Sequence, residues 1–156
     1  METKIVLQGY RVGEIALAAR FDAAAQLAPL AQLGVPARVP HAPDWLLGLV
    51  NLHGQPVPVF DLAPLLGVRH DAADQPMLLV VGRGDGLAGM VIDGMPRRLH
   101  FSPDDRVAEP HVPAILAGYL SSSYRDSSAT TWFEFDAARF LDDIAAMLVA
   151  TEVAAS

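Results

Sequence analysis

Apolar and polar positions alternate in short runs along this chain, and turn residues separate the runs. That spacing predicts a β-rich protein. "KIVLQGYRV" stops at Gly13–Glu14 and "IALAARF" resumes at once, so residues 4–21 read as a tight hairpin. Residues 45–52 and 56–62 make a second apolar hairpin, with the polar group Asn51–His53–Gly54–Gln55 at its tip. Pro56 and Pro58 are two apart. Their missing N–H groups fall on one side of the strand, which predicts an edge strand or a side covered by a loop. "MLLVV" and "LAGMVIDG" give a third hairpin around "GRGDG". "TTWFEF" alternates cleanly and reads as a strand, whereas "VPAILAGYLSSSY" fits strand or helix.

Helical spacing is rarer. Residues 22–32, "DAAAQLAPLAQ", are alanine-rich behind Asp22, a good N-cap, and predict a turn or two of helix ended by Pro29. The next eleven residues hold three prolines and predict an extended loop. "LAPLLG" after Asp61 reads as a short helical turn stopped by Gly67. From Asp136 a last helix is expected to run to about 149, with Phe140, Leu141, Ile144, Met147 and Leu148 on one face. Residues 68–76 are polar and look disordered. One internal echo stands out. "VPVFDLAPLL" and "TWFEFDAARFL" both run strand, Phe-Asp, then helix, which suggests two similar β units.

Composition narrows the class. The 156 residues make most simply a single domain, 1–156, and 52% apolar residues are ample for a core. A net charge of −7 argues against nucleic acid or an anionic membrane surface as partner. There is no cysteine, so disulfides and thiolate metal sites are excluded. No apolar stretch reaches the roughly 18 residues of a membrane span, and the start lacks a signal-peptide pattern. A soluble cytoplasmic protein is expected.

The candidate chemistry is thin. "GDGLAG" at 84–89 satisfies a dinucleotide-type glycine string, but "MVIDG" follows where a helix would have to start. A hairpin turn is the better reading, and the "RGD" within it is a turn tripeptide. None of the five histidines pairs at metal-ligand spacing. His70 with Asp71 and Asp74 is the nearest thing to a cluster. "SSSY" has no nearby histidine, and Asp104–Asp105 and Asp142–Asp143 read as solvated faces rather than acid/base pairs. No metal, cofactor or catalytic residue is expected, and a binding module is favoured over an enzyme.

The motifs carry a resemblance. "VPHAPDWLLGLVNLHGQPVPVFDL" resembles the signature region of CheW-like domains, with Gly48, Asn51, Leu52, Gly54, Pro58, Asp61 and Leu62 in place. "AGMVIDGM" and "TWFEFDAARFL" are similar to the family's Val-Asp-Gly strand and its closing strand with last helix. The resemblance spans about residues 4–145. It implies a mainly β fold of two small, interleaved five-stranded barrels sharing an apolar core, with short helices including one at the C-terminus. It also implies a non-enzymatic adaptor linking the cytoplasmic tips of chemoreceptors to the regulatory domain of a CheA-type histidine kinase, associated with receptor arrays at the inner membrane and not inserted in it. A groove between the barrels would take the receptor's helical hairpin. The partner-binding residues so implied are Ala24, Leu27, Gly48, Asn51, His53 and Gly54. Two departures matter. His53 stands where the family has arginine, and 22–28 is mostly alanine. They fit a divergent array, for example one controlling type IV pili. A small barrel that binds a ligand, or regulates an array without coupling it, is the alternative.

Overall fold

The computed structural model describes residues 4–20, 25–82, 86–108 and 110–155. Ala24, the rest of segment 22–24 and the RGD turn lie outside them.

The strands are β1 (Ile5–Val12), β2 (Ile15–Arg20), β3 (Ala25–Pro29), β4 (Leu46–Leu52), β5 (Gln55–Phe60), β6 (Pro76–Val81), β7 (Ala88–Asp93), β8 (Arg97–Phe101), β9 (Leu120–Arg125) and β10 (Thr131–Phe135). Helix α1 (Ala63–Leu66) follows β5, and α2 (Ala137–Ala155) follows β10. The strands form two five-stranded sheets. The first has the order β8-β1-β2-β10-β9, the second β3-β6-β7-β5-β4. This is the mainly β, two-unit architecture that the motifs implied.

The echo proves deeper than ten residues. In each sheet a hairpin, β4–β5 or β9–β10, has its second strand parallel to a neighbour: β5 beside β7, β10 beside β2. Leu46 pairs with Phe60 and Leu49 with Pro58; likewise Leu120 pairs with Phe135 and Ser123 with Phe133. Each hairpin therefore holds one extra residue at the same place, a bulge that increases local twist. The Asp61 N–H donates to the Trp45 carbonyl at 2.8 Å, and the Asp136 N–H to the Tyr119 carbonyl at 3.0 Å. Both aspartates then turn the chain into a helix, Asp61 Oδ1 accepting from Ala63 N and Asp136 Oδ1 from Arg139 N.

Three apolar clusters follow from this layout. Leu7, Ala16, Ala18, Leu99, Phe101, Tyr124 and Trp132 fill the inside of the first sheet. Val50, Val57, Val59, Leu78, Val80 and Val91 fill the second. The largest lies between them and draws on both sheets and both helices, with Tyr10, Leu17, Phe60, Met90, Phe135 and Phe140 among its buried members.

Four expectations are corrected. Residues 25–29 form strand β3, with a 3₁₀ turn only at Leu30–Leu33. Pairing along β6, from Ala25–Val81 to Pro29–Met77, outweighs the alanines' helix preference. The loop at 68–76 is ordered: Asp71 accepts the N–H groups of Ala73 and Asp74, and the Gly94 N–H bonds the Gln75 carbonyl. The second sheet ends at β4, not β5. The two-residue loop makes Leu52–Gln55 a bonded pair, so Pro56 and Pro58 direct their missing donors away from β4. There β7 accompanies only Val59 and Phe60. Finally, α2 extends to Ala155, and Met147 is 63% exposed while Phe140, Leu141 and Ile144 are buried.

Candidate functional site

A groove of about 620 Å³ opens where the two sheets meet. The first sheet lends Gln8, Tyr10, Ala19, Arg20, Leu120, Ser121 and Glu134; β6 of the second lends Leu79 and Val81. The first turn of α2, Ala137–Arg139, forms one rim. Small alanines there leave the floor open.

Several polar groups of this groove are held by neighbouring protein groups. Glu134 accepts from the Ser121 hydroxyl at 2.5 Å through one oxygen, and its other oxygen lies 3.1 Å from Arg20 Nε. The second contact is an ion pair without hydrogen-bond alignment. The Arg139 guanidinium donates to the Gly118 carbonyl and covers the Tyr119 ring. The Tyr10 hydroxyl is buried without a partner; burial first, then the Asp136 charge, raises its pKa and keeps it protonated. Such walls offer an apolar floor with a fixed polar margin, which suits docking rather than proton transfer.

The residues singled out from the sequence fall elsewhere. Leu27 is one strand from the groove, paired with Leu79. Asn51, His53 and Gly54 come together at the β4–β5 tip, where Asn51 Oδ1 accepts the Gly54 N–H at 2.8 Å. His53 (φ 52°) and Gly54 (φ 83°) are both left-handed, the geometry of a type I′ turn. Gly48 is buried on β4 with φ 138°. A Cβ there would sit 2.3 Å from the Ala37 carbonyl oxygen. That carbonyl accepts the Leu49 N–H, so this glycine lets the Pro36–Ala37 segment cover the sheet's edge.

His70, Asp71 and Asp74, the nearest approach to a cluster along the sequence, are not joined through their side chains. His70 instead bonds Asp61 and Asp93. Among the described residues no group of three His, Cys, Asp or Glu side chains is placed to hold a metal. Nor is any described helix long and apolar enough to cross a membrane. Sequence reasoning expected a groove between the two units but named neither the residues that line it nor the Asp61–His70–Asp93 set. Two signals pointed to them. Glu134 interrupts an aromatic strand, and Asp93 ends a strand buried on both faces, where a carboxylate needs partners.

Comparison with known proteins decides the family. The model of the CheW-like domain matches residues 9–145. The chain belongs to the CheW-like domain family. Among solved structures it is similar to the scaffolding protein TtCheW from Thermoanaerobacter tengcongensis, at TM-score 0.67 and 16% identity, over 86% of this chain and 90% of that one. At that identity the likeness is one of fold. No curated protein matches the sequence. Within the family fold, the echo at Phe60–Asp61 and Phe135–Asp136 marks the two corresponding strand-to-helix junctions, and the groove opens at the second.

Proposed function

We propose that this CheW-like chain is a non-enzymatic adaptor of a bacterial chemosensory array, cytoplasmic and held at the inner membrane through its partners. It couples a chemoreceptor's cytoplasmic tip to a CheA-type histidine kinase. The observation that carries this reading is the open groove between the sheets. Its floor of Leu79, Val81, Leu120 and Phe135 suits the apolar side chains of a helical hairpin, and its volume lies within the range of natural binding clefts. Leu27, one strand away, extends the same receptor surface. Ala24 belongs to it by family pattern. The exposed turn Asn51–His53–Gly54 offers a second contact, while Gly48 serves by keeping the β4 edge covered. His53 in place of arginine and the alanine-rich 22–28 segment favour a divergent array, such as one governing type IV pili.

The test is a blocked groove. Ala138 is half-buried on the rim. Ala138→Trp should abolish co-sedimentation with receptor-bearing membranes, leave the melting temperature within a few degrees, and preserve pull-down of the kinase regulatory domain. Undiminished receptor binding by a folded Ala138→Trp protein would overturn the assignment of the groove.

A further inference from the structure

His70 sits in the loop after α1 and reaches two carboxylates from different strand ends. Nε2 is 2.6 Å from Asp61 Oδ1, just beyond β5, and Nδ1 is 2.8 Å from Asp93 Oδ1 at the end of β7. A carboxylate only accepts hydrogen bonds. Both ring nitrogens must therefore donate, which requires the imidazolium form. Asp93 is buried, and its second oxygen accepts the Gly13 N–H at 2.5 Å. Gly13 lies in the β1–β2 turn of the first sheet, 80 residues away. Asp61 Oδ1 also accepts the Ala63 N–H at the start of α1. One ring thus ties together a loop, two strand ends and, through Asp93, the other sheet.

We propose that His70 is a proton-operated clasp between the two sheets: the doubly protonated ring closes the loop onto Asp61 and Asp93, and loss of one proton opens one of the two bonds. The charged groups facing the ring are those two aspartates. Arg69 and Asp71 beside it on the loop, Asp74 further along, and Glu14 next to Gly13 are all exposed. A neutral imidazole has a single N–H, so one carboxylate would then meet a lone pair instead of a donor. The consequence for Asp93 is specific. It would remain buried and charged with the Gly13 N–H but without its cation, a costly arrangement.

Burial of the ring works against its charge, but the Asp61 hydrogen bond and the charges of Asp61 and Asp93, with the Asp93 bond, outweigh it. The His70 pKa is raised above its ordinary value. The folded state then holds a proton that the unfolded chain gives up earlier, so stability falls as pH rises. The contribution of the clasp is complete below the ordinary histidine pKa of about 6.5 and is lost as pH climbs through the raised folded value.

The experiment uses the full chain. Nitrogen-15 NMR of the imidazole rings follows all five histidines from pH 5.5 to 9.5, and denaturant midpoints are measured over the same range for wild type and His70→Gln. Glutamine keeps hydrogen-bonding capacity but does not titrate. The expected result is a His70 ring with both nitrogens protonated at neutral pH and an apparent pKa above the ordinary histidine value. Its titration should run alongside a fall in wild-type stability that His70→Gln lacks. A His70 ring that is neutral at pH 7 would overturn the proposal, as would parallel stability curves for the two proteins. If His70→Gln does not fold, the wild-type ring titration alone still decides.

Discussion

At the scale of single residues, backbone conformation decides which positions tolerate substitution. Gly48 is the sharpest case. Its φ of 138° and the 2.3 Å approach of the Ala37 oxygen to any added Cβ make even alanine strained there. Gly48→Ala should lower stability by roughly 1–3 kcal/mol or more, read as a lower denaturant midpoint at unchanged slope. Gly48→Arg should lose the fold before it loses a partner. A Gly48→Ala protein as stable as the parent would mean that β4 shifts freely. His53 gives the complementary test. It is the first of two left-handed residues in a type I′ turn, where asparagine is the favoured residue. His53→Asn should be neutral or slightly stabilising, whereas His53→Val, β-branched at positive φ, should cost about 1–2 kcal/mol. Equal midpoints for the two variants would remove the turn geometry from the account. The sequence showed the glycine of this turn, but the left-handed histidine came into view only with the two-residue loop. The Asp61–His70–Asp93 set was hidden for a different reason. Its members are 9 and 23 residues apart, beyond any local spacing, and only strand order brings them together.

Among elements, those with a strong local signal were legible: the hairpins β1–β2, β4–β5 and β6–β7, strand β10, the turn of α1 ended by left-handed Gly67, and α2. β3 and β8 were not. β3 is made of residues whose preference is helical or neutral, and it exists because β6 offers an edge. β8, "RRLHF", turns only Leu99 and Phe101 inward, and its charged residues resemble a loop. Edge strands satisfy fewer constraints than central ones, so their sequences say less. The α2 face was legible in part. Phe140, Leu141 and Ile144 are buried, and Met147 is not. Phe140 meets Tyr119 edge-on at 5.0 Å and Phe135 at 5.5 Å, which joins the helix to β10 and to the 3₁₀ turn before β9. Phe140→Ala should therefore cost about 3–5 kcal/mol, and Met147→Ala well under half of that. Comparable losses from the two substitutions would show that the helix packs through a different face.

For the whole molecule, the two-unit reading from one ten-residue echo was sound, but its chain order could not be seen. The second sheet is built from one continuous stretch, β3 to β7. The first is assembled from the two opening strands and the three closing ones. Matching the bulged hairpins pairs β9–β10 with β4–β5, and matching their parallel neighbours pairs β1–β2 with β6–β7. The two units thus share a topology, but one of them is split across the ends of the chain. Continuity makes residues 25–93 look like an independent domain, and the clusters argue that they are not. The second sheet's own cluster is mostly valine, whereas its large residues Phe60, Met77, Leu79, Met90 and Ile92 face the shared cluster. Exposing those five would forfeit roughly 1.5–3 kcal/mol each as an upper estimate, comparable in total with the whole net stability of about 5–15 kcal/mol of an ordinary domain. The full chain should melt in a single cooperative transition, with near-UV dichroism of the buried aromatics and far-UV dichroism of the strands changing together. A fragment of residues 25–93 should show no cooperative transition. Mixing it with the remaining segments should restore one only if both sheets re-form. A cooperative melt of the fragment alone would mean that the second sheet is self-sufficient. The groove where the sheets meet would then lie between two domains free to move, instead of being a fixed feature of one core.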